Sequence, residues 1–220
     1  MSKIKVAIQG ELGAYSHIAA ERLYKDAEIK TCSTFEETFM QAYNDSSYKI
    51  VIPIENSLAG RVADIHYLLP KYKLQIHGEY FLPVEHNLLG KQDAKIEDIE
   101  YVRSHSQAIS QCQNIIAKRK FKSIISVDTA GSAKDLAEGK DKSIAAIASD
   151  LSAKMYNLKI LEKNIEDEKG NVTRFLIMGK NIEQPEYRTD KKFITSCIFR
   201  LKSEPSALYK CLGGFATNQV

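Results

Sequence analysis

Residues 50–54, Ile-Val-Ile-Pro-Ile, form an unbroken apolar run directly ahead of Glu55-Asn56-Ser57. A strand with one wet face alternates apolar and polar residues; a continuous run marks a strand covered on both faces, as between two helical layers. Around it the apolar period switches repeatedly between two and about 3.6. Residues 6–8 read as a strand, and Ser16 is placed to cap a helix running to Tyr24. A short strand at 29–32 follows. Thr34 then opens a helix with Glu37 as the capping-box partner and Phe35, Phe39 and Tyr43 on its inner face. A helix at 62–69, stopped by Pro70, completes a βαβαβα series, which argues for a parallel α/β sheet.

From residue 74 the pattern changes. Residues 74–89 form one long extended passage, of the kind that crosses between two lobes. A second series begins with a strand at 101–102 and a helix from Ser104 to Lys118. Strands at 123–127 and 143–148 and helices at 129–138 and 151–156 follow, and after residues 158–161 comes a polar loop. The apolar segment 172–178 then offers a strand returning to the first lobe. The expectation is a catalytic-sized unit over 1–180, with lobe one at about 1–76 plus 173–180 and lobe two at about 77–172. A cleft between such lobes is a common small-molecule site. Residues 181–192 are polar and carry Pro185, as a linker does. Beyond them a strand is expected at 193–201 and a helix from Pro205 to about Phe215, an incomplete module at 193–220.

Composition removes several function classes. The 31 basic and 28 acidic side chains leave a net charge of +3, interspersed rather than patched, which argues against nucleic-acid binding. No stretch approaches the ~20 consecutive apolar residues of a membrane span. The N-terminal segment lacks the apolar core of a secretory signal, so a cytoplasmic location is expected. Cys32, Cys112, Cys197 and Cys211 form no CxxC pair and read as reduced, mostly buried thiols. His17, His66, His77, His86 and His105 form no HxH or HxxxH pair, and no metal site is expected.

Four segments could carry chemistry. Gly10-Glu11-Leu12-Gly13-Ala14-Tyr15-Ser16 joins a strand to a helix, where free backbone amides favour an anion; a plain tight turn is the alternative. Glu55-Asn56-Ser57 follows the buried strand at its carboxyl end, where open α/β sheets bind ligands. Arg103-Ser104-His105-Ser106-Gln107 holds the same place in the second series. Its Ser-His adjacency has no GxSxG context, so a hydrolase ranks last. Gln111 lies two turns beyond Ser104. In Asn171-Val172-Thr173-Arg174-Phe175 an arginine interrupts an apolar strand, and either a ligand carboxylate or an internal Arg–Glu pair would be its partner.

Taken together, Gly13-Ala14-Tyr15-Ser16, the run from Val51 to Ser57, Ser104-His105-Ser106-Gln107 with Gln111-Cys112, and Asn171 to Phe175 resemble, in order and spacing, the prephenate dehydratase family over about residues 3–180. Phe193 onward is similar to the first strand and helix of a ferredoxin-like ACT regulatory domain, with Pro205-Ser206-Ala207-Leu208 where that module carries Pro-Gly-Ala-Leu. Ser106 stands where the family usually has proline, and Glu11 where proline often follows the first glycine. The resemblance implies a periplasmic-binding-protein-like pair of lobes and, without a cofactor, the conversion of prephenate to phenylpyruvate in phenylalanine biosynthesis. Thr173 would be the principal catalytic group, with Asn56, Ser104 and Gln111. Tyr15, Ser16, Glu55, Ser57, His105, Arg174 and Phe175 would bind substrate. It further implies a homodimer or homotetramer and L-phenylalanine as feedback inhibitor of a full-length parent, a site expected to be incomplete in this chain. Arg174 is expected to engage the pyruvyl carboxylate or to organise the cleft indirectly, because a clamp on the ring carboxylate would stabilise the group that must leave. Arogenate dehydratase and a non-catalytic two-lobed binding module are the alternatives.

Overall fold

The computed structural model describes residues 3–181 and 186–219. It divides into two units, residues 1–184 and 185–220. The first begins with β1 (Lys5–Gln9), α1 (Tyr15–Leu23), β2 (Glu28–Cys32), α2 (Phe35–Asn44), β3 (Tyr48–Asn56), β4 (Gly60–Arg61), α3 (Ala63–Tyr72) and β5 (Gln75–Pro83). It continues with β6 (Asn87–Gly90), β7 (Tyr101–His105), α4 (Ser106–Ser110), α5 (Gln113–Arg119), β8 (Lys122–Ser126), α6 (Thr129–Glu138), β9 (Ile144–Ala148), α7 (Asp150–Met155) and β10 (Lys159–Glu162), and returns in β11 (Val172–Gly179).

Two sheets result, one per lobe. The first has the order β2-β1-β3-β11-β5, with the short β4 on β3; the second has the order β10-β6-β9-β7-β8. Only part of each is parallel: β11 runs antiparallel to both β3 and β5, and β6 antiparallel to β9 and β10. The chain crosses twice between lobes, at 84–86 and after β10. Because β5 pairs with β11 up to Pro83 opposite Val172, the first lobe extends to Pro83 and regains the chain at Val172, past the expected boundary at 76.

The apolar run behaves as its composition demands. Ile50, Ile52 and Ile54 join one core with Phe39 of α2 and Ile65 of α3, while Val51 joins another with Ala19 and Ala20 of α1. In the second lobe β9 repeats the device: Ala145 and Ile147 face one core, Ala146 and Ala148 the other.

Several local expectations are corrected. Ser16 is not a cap: Ala14 occupies that position and Ser16 lies buried inside α1. Thr34 does cap α2, accepting from the Glu37 amide, while the Glu37 carboxylate accepts from the Ser33 amide. Tyr43 is exposed, and Cys197 is exposed while Cys32 and Cys112 are buried. Pro70 sits inside the last turn of α3 rather than ending it. Tyr72, two residues on, packs 5.8 Å from the Phe39 ring and hydrogen-bonds Glu36, which outweighs the lost backbone bond. Ser104 lies within β7 instead of starting a helix, and the helix expected from 104 to 118 is two helices interrupted at Gln111 and Cys112.

In the second unit α8 (Ala207–Thr217) forms with no buried residue, and residues 193–200 form no strand. A strand needs a partner for its amides and carbonyls, and the described residues supply none there. Residues 182–185 of the expected linker lie outside the described residues, as do Met1, Ser2 and Val220.

The lobes meet at a seam beside the cleft. The Gly13 carbonyl accepts from Ser149 Oγ at 2.7 Å and Ser152 Oγ at 3.0 Å, and the Tyr156 hydroxyl donates to the Leu12 carbonyl at 2.8 Å. Gly13 has φ +93, and a Cβ there would lie 2.7 Å from Ser152 Oγ and 2.9 Å from Ser152 Cα. Gly13→Ala therefore combines left-handed strain with a backbone clash, and is expected to lower the unfolding free energy by about 2–4 kcal/mol. Urea unfolding checks this; an unchanged midpoint would mean that the seam yields freely.

Candidate active site

The cleft between the lobes encloses about 500 Å³, a size suited to one small molecule. Its floor is the junction of β3 with β11, where Asn56 pairs with Thr173 and Glu55 with Arg174, before a one-residue irregularity brings Phe175 opposite Pro53. Along a strand successive side chains point to opposite faces. Thr173 and Phe175 accordingly line the cleft, and Arg174 does not.

Asn56 organises the floor. Its Oδ1 accepts from the backbone amides of Leu58 (3.0 Å) and Ala59 (2.9 Å), so its Nδ2 must face the other way. That nitrogen donates to Asn171 Oδ1 at 2.6 Å and to Thr173 Oγ1 at 2.9 Å. The Thr173 hydroxyl is thus an acceptor from Asn56, and among the described residues its own proton has no acceptor. Asn171 Nδ2 donates in turn to Gln111 Oε1 at 3.0 Å, which leaves the Gln111 amide nitrogen facing the cavity. Gln111 reaches this point because the chain breaks between α4 and α5.

A second chain of contacts closes the wall. His86 Nε2 lies 2.9 Å from Gln111 Oε1 and His86 Nδ1 2.9 Å from the Tyr15 hydroxyl, whose single proton also has the Glu85 carbonyl within reach at 2.7 Å. Burial holds the Tyr15 hydroxyl well above its ordinary range, with the charges of nearby acidic groups adding to it, and holds His86 below its own. Burial likewise pushes the Cys112 thiol far up, which makes it an inert structural group.

Of the residues singled out from sequence, Tyr15, Ser16, Asn56, His105, Gln111, Thr173 and Phe175 line the cleft. The others lie elsewhere. Ser104 is fully buried, and its hydroxyl donates to the Ile147 carbonyl at 2.6 Å; the His105 ring accepts instead from the Gln107 amide, so the two form no nucleophile pair. Ser57 stitches the strand ends together, accepting from the Val172 amide at 2.9 Å. Arg174 Nε and Nη2 both reach Glu79 Oε2 at 2.7 Å, and Nη1 reaches Glu55 Oε1 at 3.4 Å. The internal pair, not a ligand carboxylate, is therefore the arginine's partner. Arg174 and Glu55, with Ser57 and Phe81, line a second hollow of about 220 Å³ that shares Asn56, Gly60 and Arg61 with the cleft.

Sequence reasoning missed His86 and Arg61, and quoted Asn171 without giving it a role. Arg61, on β4, is the one lysine or arginine in the cleft lining among the described residues, and none of their carboxylates lies within ion-pair distance of it. Asp128 is the one acid there, and its Oδ1 is committed to the Gly131 amide at the start of α6.

The Arg174 pair is only a quarter exposed on each of its two closest members, at 24% and 27%. Arg174→Met is expected to cost about 1–2 kcal/mol of stability. A double-mutant cycle with Glu79→Gln, read by urea unfolding, should be non-additive; strict additivity would show the contact to be inert.

Comparison with known proteins gives the arrangement its context. The family profile described as prephenate dehydratase matches residues 6–183. The chain is 40% identical over 219 residues to arogenate dehydratase/prephenate dehydratase 2 of Arabidopsis thaliana, a chloroplastic protein, covering all of this chain and 57% of that protein. It is 38% identical over 218 residues to the bifunctional N-acyl-homoserine lactone acylase/prephenate dehydratase of Komagataeibacter europaeus, covering 98% of this chain and 76% of that protein. The crystal structure of prephenate dehydratase from Arthrobacter aurescens in complex with L-Phe shares the fold at TM-score 0.84 and 23% identity, over 97% of this chain and 72% of that one. Relative to the plant protein the chain spans little more than half the length. With the profile covering both lobes and the cleft between them, the chain belongs to the prephenate dehydratase family.

Proposed function

We propose that the cleft converts prephenate to phenylpyruvate, carbon dioxide and water. The observation that carries this is the Thr173 hydroxyl, which accepts from Asn56 and so keeps its own proton for a ligand in the cleft. In the reaction the ring carboxylate's C–C bond breaks and its electron pair enters the ring. The ring C–O bond breaks in the same aromatising step, and the departing oxygen takes up a proton, supplied ultimately by solvent, to leave as water. Thr173 hydrogen-bonds that oxygen as its charge develops, an effect worth roughly 10²–10⁴-fold. The Asn56 amide, itself locked by two backbone amides, strengthens the hydroxyl as a donor by donating to its oxygen.

The remaining donors suit the pyruvyl carboxylate: Arg61, the Gln111 amide nitrogen, and the uncapped start of α1, where Ser16 is buried in the cleft wall. Phe175, Val84 and Pro53 form an apolar wall for the ring, where a carboxylate gains no ground-state stabilisation. Arogenate carries an ammonium beside that carboxylate, and the one acid in the cleft lining among the described residues, Asp128, has one of its two oxygens engaged in capping α6. We therefore place prephenate ahead of arogenate. L-Phenylalanine is proposed as the ligand of an ACT-like regulatory module that begins at about Phe193; because α8 is exposed and residues 193–200 are unpaired, it should leave the turnover of this chain unchanged.

Incubation with prephenate is expected to give the phenylpyruvate absorbance at a kcat/KM above that for arogenate, with or without L-phenylalanine; no product would refute the assignment. Thr173→Ser should keep turnover within about tenfold of wild type, and Thr173→Val should lose about 10²–10⁴-fold in kcat. If both retain near-normal turnover, the hydroxyl is not the assisting group.

A further inference from the structure

His86 is 3% exposed, titratable, and has no part in the chemistry above. It lies on the first crossing between the lobes and touches both: Tyr15 on α1 of the first, Gln111 between α4 and α5 of the second. Which of its ring nitrogens carries the proton can be traced from the backbone. The amides of Leu58 and Ala59 are donors, so Asn56 Oδ1 faces them and Asn56 Nδ2 faces Asn171. The atom of Asn171 at 2.6 Å is therefore its oxygen, and its nitrogen faces Gln111. The Gln111 atom that accepts this bond is its oxygen, and that same oxygen lies 2.9 Å from His86 Nε2. Only a protonated Nε2 fits there.

We infer that His86 is a positioning residue: its Nε2–H is the second donor to Gln111 Oε1, and the two donors together hold the Gln111 side chain with its amide nitrogen turned into the cleft. A flipped Gln111 would set an N–H₂ group against two N–H donors, and to relieve the clash Asn171 and then Asn56 would have to flip as well, the last against two backbone amides. Without His86, Gln111 keeps one anchor and its side chain swings. Burial favours the neutral ring, so at neutral pH Nε2 carries the only ring proton and Nδ1 is bare, an acceptor that shares the single Tyr15 proton with the Glu85 carbonyl. The role rests on the dehydratase reading, in which Gln111 is a donor to the substrate's carboxylate.

The test compares two amide replacements. The Gln side chain reaches the Nε2 position of histidine, whereas the Asn side chain reaches only the Nδ1 position. His86→Asn is expected to lose about 10- to 100-fold in kcat with KM shifting by less than about threefold, and His86→Gln to recover to within about threefold of wild type. Wild-type kcat in His86→Asn, or equal loss in both variants with both folded by circular dichroism, would overturn the inference. Long-range ¹H–¹⁵N correlation on the wild-type protein should show His86 protonated at Nε2 and bare at Nδ1 near neutral pH. The opposite tautomer would also overturn it, whether or not the variants fold. Wild-type protein that fails to turn over prephenate but shows the Nε2–H tautomer would refute the dehydratase reading and leave the hydrogen-bond assignment standing.

Discussion

An asparagine amide has two lone pairs and two N–H groups to satisfy, and the half-buried Asn56 satisfies all four: two backbone amides on one side, Asn171 and Thr173 on the other. Because backbone amides cannot reverse roles, this side chain has one orientation only, and it imposes one on every polar group that follows. Thr173 is made an acceptor with a proton to give; Asn171, Gln111 and His86 are ordered in sequence. The polarity of the whole cleft floor thus begins at the turn after β3. The fold places that turn there by burying Ile50, Val51, Ile52 and Ile54 on both faces of one strand, so that the chain emerges at the carboxyl end of a central strand with Glu55, Asn56 and Ser57 still to be accommodated.

The strand framework was legible because apolar period and length carry it directly. What escaped was decided by groups distant in sequence. Pro70 should end a helix, yet Tyr72 finds Phe39 and Glu36 more than thirty residues back and carries the helix two residues further. Residues 193–200 alternate as a strand does, but alternation describes a face and not a partner, and no ladder forms. Ser104 belongs to a segment that both strand and helix patterns fit. Its hydroxyl settles the matter by donating to Ile147 on the neighbouring β9.

The site was legible as segments more than as side chains. Thr173, Arg174 and Phe175 were taken together although the strand they occupy places consecutive residues on opposite faces, and that periodicity alone separates Arg174 from the other two. His86 carried a fainter signal, a histidine within the apolar crossing between lobes. Arg61 carried none, because a single arginine beside a glycine is an ordinary surface residue until the sheet brings it to the cleft mouth.

The placement of Arg174 behind the sheet also bears on the chemistry. Decarboxylation is fastest when the departing carboxylate is held weakly, since any cation bound to it must be given up as the charge moves into the ring. An arginine at position 173 or 175 would face that carboxylate at close range from the floor. At 174 its charge is neutralised by Glu79 and Glu55 on the far face, and the floor presents to the cleft only a neutral hydroxyl, neutral amides and a phenyl ring. Among the described residues the cleft's one permanent cation, Arg61, lies on a separate short strand, β4, so in the reaction proposed above it would attract a dianion without belonging to the floor that faces the ring carboxylate. Strand alternation therefore keeps the Arg174 charge off the floor, while β4 brings Arg61 to the cleft from outside it.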